Sequence, residues 1–410
     1  MEYQLRPITP DEAGPFFECM ASSFGNDFRP DRWSERTGHY AEVDRSLAAW
    51  DGVQVVATTG IWSFELTVPG GSIATAGVTW VSVRPTHRRR GLLTAMMRRQ
   101  LDDVHERGEA LAALWASEAP IYGRFGYGCA AEGVEMRIER AHSALRPSTS
   151  DATARGGVRM VEREEALARW PVLYERVRRE TPGMISRHDR WWSYRHLPEK
   201  DEGVDGYTGS RFAQYEEDGE LLGYVRYRTK QDYEQGNPAG ILHLRELIAA
   251  SDAAYAALWQ YLFGVDLIKT IHAEWRRVDE PLTWMLADPR RLVRRTQDTL
   301  FVRVVDVAEA LAGRRYAAEG ELVIEVQDRF CGWNEGSYLL KGGPNGATCT
   351  RTARSPDISL EAESLGAAYL GGVRLSTLAR AGRVSGPEAA LGRADAMFGW
   401  QPAPWIPEIF

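Results

Sequence analysis

The sequence predicts a mixed α/β and α+β protein of two or three domains, on three observations. Its 410 residues exceed the ~100 to 200 usual for one domain. Strand-like and helix-like patterns alternate through the first two thirds of the chain. The composition, 44% hydrophobic with 10% aromatic and 26% charged residues, is that of a folding chain and argues against disorder, collagen-like repeats and coiled coil. A net charge of −7 gives no basic field to draw the protein to nucleic acid or anionic lipid, so neither is an expected partner.

The elements follow in order. A helix is expected over 11–20, then an apolar run over 46–57 broken by a turn at Asp51-Gly52. Two β-rich stretches, 60–68 and 77–83, flank Pro69-Gly70-Gly71 and predict a hairpin. From Gly91 the period changes: Leu93, Met97, Leu101 and Val104 share one helical face, and Gly108 stands where a C′ glycine belongs. A strand over 111–115 completes a strand-helix-strand unit. The Ser-, Thr-, Ala- and Gly-rich stretch 141–157 marks a boundary. A second segment repeats the order, with a hairpin over 212–215 and 221–227 around Glu217-Asp218-Gly219, a strand over 241–248 and a helix over 253–263. After Asp288-Pro289, a strand over 300–305 and the alternating Leu322, Ile324 and Val326 open a third, smaller α+β region. The expected domains are therefore 1–145, 146–289 and 290–410.

Cys19, Cys129, Cys331 and Cys349 stand far apart without a C-x-x-C pair and read as reduced thiols. The eight histidines fall in no metal-ligand spacing, so no metal is expected. With no apolar leader and no run of ~18 apolar residues, the expected location is cytoplasmic.

The most informative stretch runs Val81-Ser82-Val83-Arg84-Pro85-Thr86-His87-Arg88-Arg89-Arg90-Gly91-Leu92-Leu93. A strand ending at Pro85 and a helix opening near Gly91 aim backbone N–H groups and the positive helix end at one small space. Three arginines flank it, and Gly91 lets a phosphate approach the backbone, which suits a diphosphate-bearing cofactor. Farther on, the glycines of Gly123-Arg124-Phe125-Gly126-Tyr127-Gly128 reverse the dinucleotide fingerprint, which disfavours nicotinamide binding. A tyrosine in a tight glycine loop beside a phosphate site can protonate a leaving thiolate.

Arg88-Arg89-Arg90-Gly91-Leu92-Leu93 resembles the coenzyme A loop of the GCN5-related N-acetyltransferases, with Leu93 where Gly or Ala is usual. With Ile121-Tyr122-Gly123-Arg124-Phe125-Gly126-Tyr127-Gly128, the chain looks like the enhanced-intracellular-survival branch of that superfamily. The resemblance covers the whole chain. It implies two tandem GCN5-related acetyltransferase-like domains, the second degenerate, followed by a sterol-carrier-protein-like α+β domain. It further implies acetyl-CoA as co-substrate, a primary amine of aminoglycoside, lysine or polyamine type as acceptor, and a homo-hexamer. Carried over residue by residue, it makes Tyr127 the general acid, sets Val81, Ser82 and Val83 along the pantetheine arm, and gives Arg88, Arg89, Arg90, Gly91, Leu92 and Leu93 to the pyrophosphate. Ser117 and Tyr122 would stand near the cofactor, and Asp27, Trp33 and Glu408 on the acceptor side.

The second segment runs from its strand into Ala249-Ala250-Ser251-Asp252-Ala253-Ala254, without glycine or arginine, so no second phosphate loop is expected there. The chain ends Trp405-Ile406-Pro407-Glu408-Ile409-Phe410, too aromatic for a frayed tail. The resemblance puts this end in the catalytic domain, with the Phe410 carboxylate as candidate base. The competing readings are a lipid-binding protein built on the third domain and another tandem acyltransferase.

Overall fold

The computed structural model describes residues 3–147, 156–201 and 203–410; residues 148–155, where part of the expected linker falls, lie outside the described residues. The first strands are β1 (Gln4–Pro7), β2 (Leu47–Asp51), β3 (Gln54–Val68), β4 (Gly71–Val83), β5 (Leu111–Leu114) and β6 (Gly128–Glu139). The second segment adds β7 (Gly157–Met160), β8 (Arg211–Glu217), β9 (Glu220–Lys230), a short ladder of β10 (Tyr233–Glu234) with β11 (Asn237–Pro238), then β12 (Gly240–Ala249), β13 (Ile268–Arg276) and β14 (Val293–Val304). All but the short ladder join one twelve-stranded sheet in the order β1-β2-β3-β4-β5-β14-β6-β13-β12-β9-β8-β7. The antiparallel pair β6–β13 makes the sheet continuous across the two halves of the chain.

Local sequence accounts for most of these elements. The β3–β4 hairpin turns at Pro69 and Gly70, with Gly70 at φ 74, as a Pro-Gly turn requires. Asp218 and Gly219, both at positive φ, make the two-residue turn of the β8–β9 hairpin. Helix α1 (Ala13–Ser23) buries Phe16 and Phe17, α2 (Pro30–Glu35) follows it, and α3 (Leu92–Glu106) buries Met97, Leu101 and Val104 before Gly108 closes it at φ 73. In the second half, α4 (Arg163–Glu180) and α5 (Asp252–Gly264) pack on the sheet.

The strand read as the opening of the third region belongs instead to the large sheet. β14 lies antiparallel between β5 and β6, and its last six residues are all buried. An apolar strand enclosed on both edges needs two partners, and β5 and β6 leave the gap that supplies them. Beyond β14, strands β15 (Gly320–Gln327), β16 (Gly336–Gly343), β17 (Gly346–Arg351), β18 (Ile358–Glu361) and β19 (Val384–Ser385) form a five-stranded sheet in the order β17-β16-β15-β18-β19. Leu322, Ile324 and Val326 face its core with Leu340, Leu360 and Leu365. This unit is tied to the large sheet by Arg303 of β14, whose buried guanidinium meets Asp328 at 2.6 Å.

The last residues leave this unit and run between the two halves of the large sheet. Trp405 donates from its backbone N–H to the Pro182 carbonyl at 2.8 Å and from its indole to the Trp275 carbonyl at 2.5 Å. The Phe410 ring meets Phe64 edge-on at 5.2 Å.

Candidate active site

The cleft begins where two parallel strands part. β4 and β5 pair from Thr75 opposite Leu111 to Val78 opposite Leu114, and no further. On its other edge β4 slips against β3: Thr58 pairs Ser82 and Gly60 pairs Thr79, which leaves Trp80 and Val81 outside the ladder. Trp80 takes φ 54, a left-handed conformation uncommon for a bulky residue, and its carbonyl accepts the Thr58 hydroxyl at 2.7 Å. Bulge and divergence together open a cavity of about 200 Å³ lined by Val78, Thr79, Trp80 and Val81 on one side and Trp115, Ala116, Ser117 and Tyr122 on the other. Ile409 and Phe410 close it.

At the end of β4 the chain reaches the arginine loop. Arg88, Arg89 and Arg90 are exposed, Ser82 and Leu92 buried, and Val83 and Leu93 partly buried. Arg88 Nε donates to the Val83 carbonyl at 3.4 Å, and Arg90 is braced by the Tyr3 hydroxyl at 2.8 Å and the Thr86 carbonyl at 2.9 Å. Gly91 is the N-cap of α3 at φ 81; no side chain caps the helix, and nothing stands within 4 Å of where a Cβ would be. The first N–H groups of α3 therefore open onto free space between guanidinia, an arrangement that fits a pyrophosphate. The corresponding helix of the second half differs: Ser251 caps α5 by accepting the Ala254 N–H at 3.2 Å. One of its leading N–H groups is thus taken from within.

The two tyrosines of the glycine loop separate clearly. Tyr122 lines the cavity with Ser117 and Phe410; burial pushes its phenol up to about 12, the Ser117 hydroxyl opposing. Tyr127 does not line it. Its ring is fully enclosed among Met97, Leu101, Val104 and Phe301, its hydroxyl has no hydrogen-bond partner, and burial raises its pKa against the opposing charge of Arg303. The assignment of the general acid to Tyr127 is corrected on this geometry: a proton donor must reach the reacting atoms, and the Tyr127 hydroxyl is sealed in apolar core.

Of the acceptor-side residues, Asp27 and Trp33 reach neither cavity, whereas Glu408 does. Asp27 is exposed and lines neither cavity, and Trp33 is packed on Phe17 with ring centres 4.3 Å apart. Glu408 lines a second cavity of about 640 Å³, but Trp191 Nε1 donates to one of its oxygens at 3.0 Å and Arg187 holds the other. Burial alone would raise that carboxyl; the charges of Arg187 and Arg195 help hold it below its usual range. The same Arg187 meets Glu246 at 2.6 Å, and Glu246 also accepts from Tyr224 at 2.7 Å and lies 2.7 Å from His196. This buried network fixes the tail against β12. From the segment carrying Asp27 and Trp33, the residues that do reach the larger cavity are Arg32, Arg36, Thr37 and Tyr40, joined by Arg195, Arg226 and Arg245 from the second half. Ile409 lies in the walls of both cavities. Sequence spacing carried no signal for these arginines, because they converge from four separate segments.

Among the described residues no helix is long and apolar enough to cross a membrane. Comparison with known proteins matches residues 4–130 and 183–304 to two family models, each described as an acetyltransferase (GNAT) domain, and residues 307–407 to one described as a sterol carrier protein domain. An uncharacterized N-acetyltransferase of Streptomyces avermitilis is 41% identical over 100% of both chains. The N-acetyltransferase Eis of Mycobacterium tuberculosis is 34% identical over 97% of both. The crystal structure of Eis1 from Mycobacterium abscessus superposes with a TM-score of 0.84 at 31% identity, covering 99% of this chain and 100% of that one.

Proposed function

Because the chain belongs to the Eis family of GNAT N-acetyltransferases, we propose that the cleft between β4 and β5 is its working centre, where an acetyl group passes directly from acetyl-CoA to a primary amine. One observation carries this reading: Tyr122 and Phe410, nearly three hundred residues apart, face a single small cavity at the point where the strands diverge. The end of α3 and Arg88, Arg89 and Arg90 bind the pyrophosphate. Val81, Ser82 and Val83 run beside the pantetheine arm, and backbone N–H groups near Val83 stabilise the oxyanion as the amine attacks the thioester carbonyl. A carboxylate of solution pKa ~3.5 is a weak base, so that of Phe410 orients the ammonium and relays its proton through water. Tyr122 holds the proton that the departing thiolate takes up, and Ser117 positions its hydroxyl. A phenol near 12 is fully protonated at neutral pH, and a thiolate released into the same dry space is raised as well, so the transfer stays near balance.

The test is release of free thiol from acetyl-CoA with a panel of primary amines, for the natural chain and for one extended by a single glycine after Phe410. The extension moves the carboxylate by ~3.5 Å while the phenylalanine ring can stay docked. Activity should collapse with acetyl-CoA binding and melting temperature nearly intact. Full activity in the extended chain would remove the carboxylate from the mechanism.

A further inference from the structure

The larger cavity carries a charge pattern that its acids do not balance. Arg228 is paired with Asp201, and Arg245 shares Glu274 with His243, at 3.6 Å and 3.2 Å respectively. Glu408 is taken by Arg187 and Trp191. Asp205 is the remaining acid of the wall, and it is exposed at the rim. Arg36, Arg195 and Arg226 have no carboxylate within 4 Å among the described residues.

Each of the three is held in place by a carbonyl. Arg36 Nε donates to the Tyr194 carbonyl at 3.3 Å. Arg195 donates to the Ile409 carbonyl at 2.6 Å and lies over the Trp191 ring at 4.6 Å. Arg226 donates to the His196 carbonyl at 2.6 Å, while its Nε is buried without a partner. A guanidinium held by a carbonyl has no carboxylate in direct contact to offset its charge, an arrangement that an anion can complete. Burial pushes the pKa of Arg36 and Arg245 down and that of Arg226 to about 10. Ile409 links this wall to the cavity of Tyr122 and Phe410, so one small molecule can place its amine at the chain end and its other end here.

We propose that the acceptor is an amine that also bears an anionic group, a carboxylate or a phosphate, seated between Arg36, Arg195, Arg226 and Arg245. The proposal rests on the reading of the Phe410 cavity as the place of transfer, and it excludes polycationic acceptors, which would add positive charge to this wall. Matched twins test it: β-alanine against β-alaninamide, and glucosamine 6-phosphate against glucosamine, with spermidine as the polycation. Thiol release should show a KM at least about tenfold lower for one anionic twin than for its neutral partner, and the pair that discriminates identifies the anion. Arg36→Gln should raise the KM of that twin about tenfold, leave the neutral twin within about twofold and keep kcat. Arg226→Gln should do the same, with its melting temperature measured alongside because it is more enclosed. Direct binding of the twins by calorimetry gives an independent reading: discrimination without thiol release would leave the anion site standing and overturn the transfer site. Equal binding of both twins, better use of spermidine, or an Arg36→Gln effect on both twins alike would overturn the anion site itself.

Discussion

At the scale of single residues, the site turns on which of two tyrosines meets the cleft. Tyr122 and Tyr127 lie five residues apart in a loop of two short 3-10 turns, and only the fold decides which hydroxyl is presented. Tyr122→Phe should lower turnover by about 10² to 10⁴-fold while acetyl-CoA affinity persists. Tyr127→Phe removes a buried hydroxyl that has no partner, so turnover should stay within a few-fold and the melting temperature should hold or rise, since an unsatisfied buried group costs about 1–3 kcal/mol. Loss of turnover in Tyr127→Phe with Tyr122→Phe unaffected would reverse the assignment. The loop was legible as important but not as to why. Its glycines make room for the rest of the molecule: a Cβ on Gly126 would lie 2.7 Å from Arg303 Nη1, and one on Gly128 2.0 Å from the Glu363 carbonyl oxygen. Those contacts come from β14 and from the helix Ala362–Ala368, more than 170 residues downstream, and no local pattern announces them.

At the scale of elements, most of the fold was readable because the deciding signals are local. Pro69-Gly70 and Asp218-Gly219 set their hairpins by turn chemistry, and α3 shows its buried stripe and its terminal Gly108. The placement of β14 is not legible for the opposite reason, since an apolar strand carries no mark of which sheet it joins. The arginine loop was legible because its chemistry is a property of one strand-helix junction. Gly91 holds φ 81 at that junction, and the space beyond it is open. Gly91→Val should therefore place a branched side chain in the path of the pyrophosphate without colliding with protein, and strain one backbone position. Acetyl-CoA affinity should fall at least about tenfold, about 1.4 kcal/mol, with the fold retained. Unchanged affinity in calorimetry would move the cofactor elsewhere.

At the scale of the whole molecule, one buried network joins the second half, the tail and the working cavity. Glu246 of β12 lies against Arg187, His196 and Tyr224, and Arg187 passes the connection to Glu408, two residues from the chain end. Burial and the neighbouring Arg187 lower the His196 pKa to about 4 from an ordinary 6.5, with Glu246 pulling the other way, so the imidazole is neutral in the folded protein at neutral pH. Between pH 6.5 and 4 the unfolded chain binds a proton at this residue that the folded chain does not. Stability from His196 is thus fully present above pH 6.5 and lost progressively as the pH falls toward 4. The melting temperature should decline across that window, and His196→Gln, which can still donate to Glu246 but cannot titrate, should decline less over the same range. If pairing with Glu246 instead kept the imidazole charged in the fold, acidification through 6.5 would stabilise the natural protein relative to the variant. A melting series for both proteins at pH 7, 5.5 and 4.5 separates the two signs. Because the same network holds Glu408, the acid-weakened protein should also lose thiol-releasing activity before its secondary structure melts.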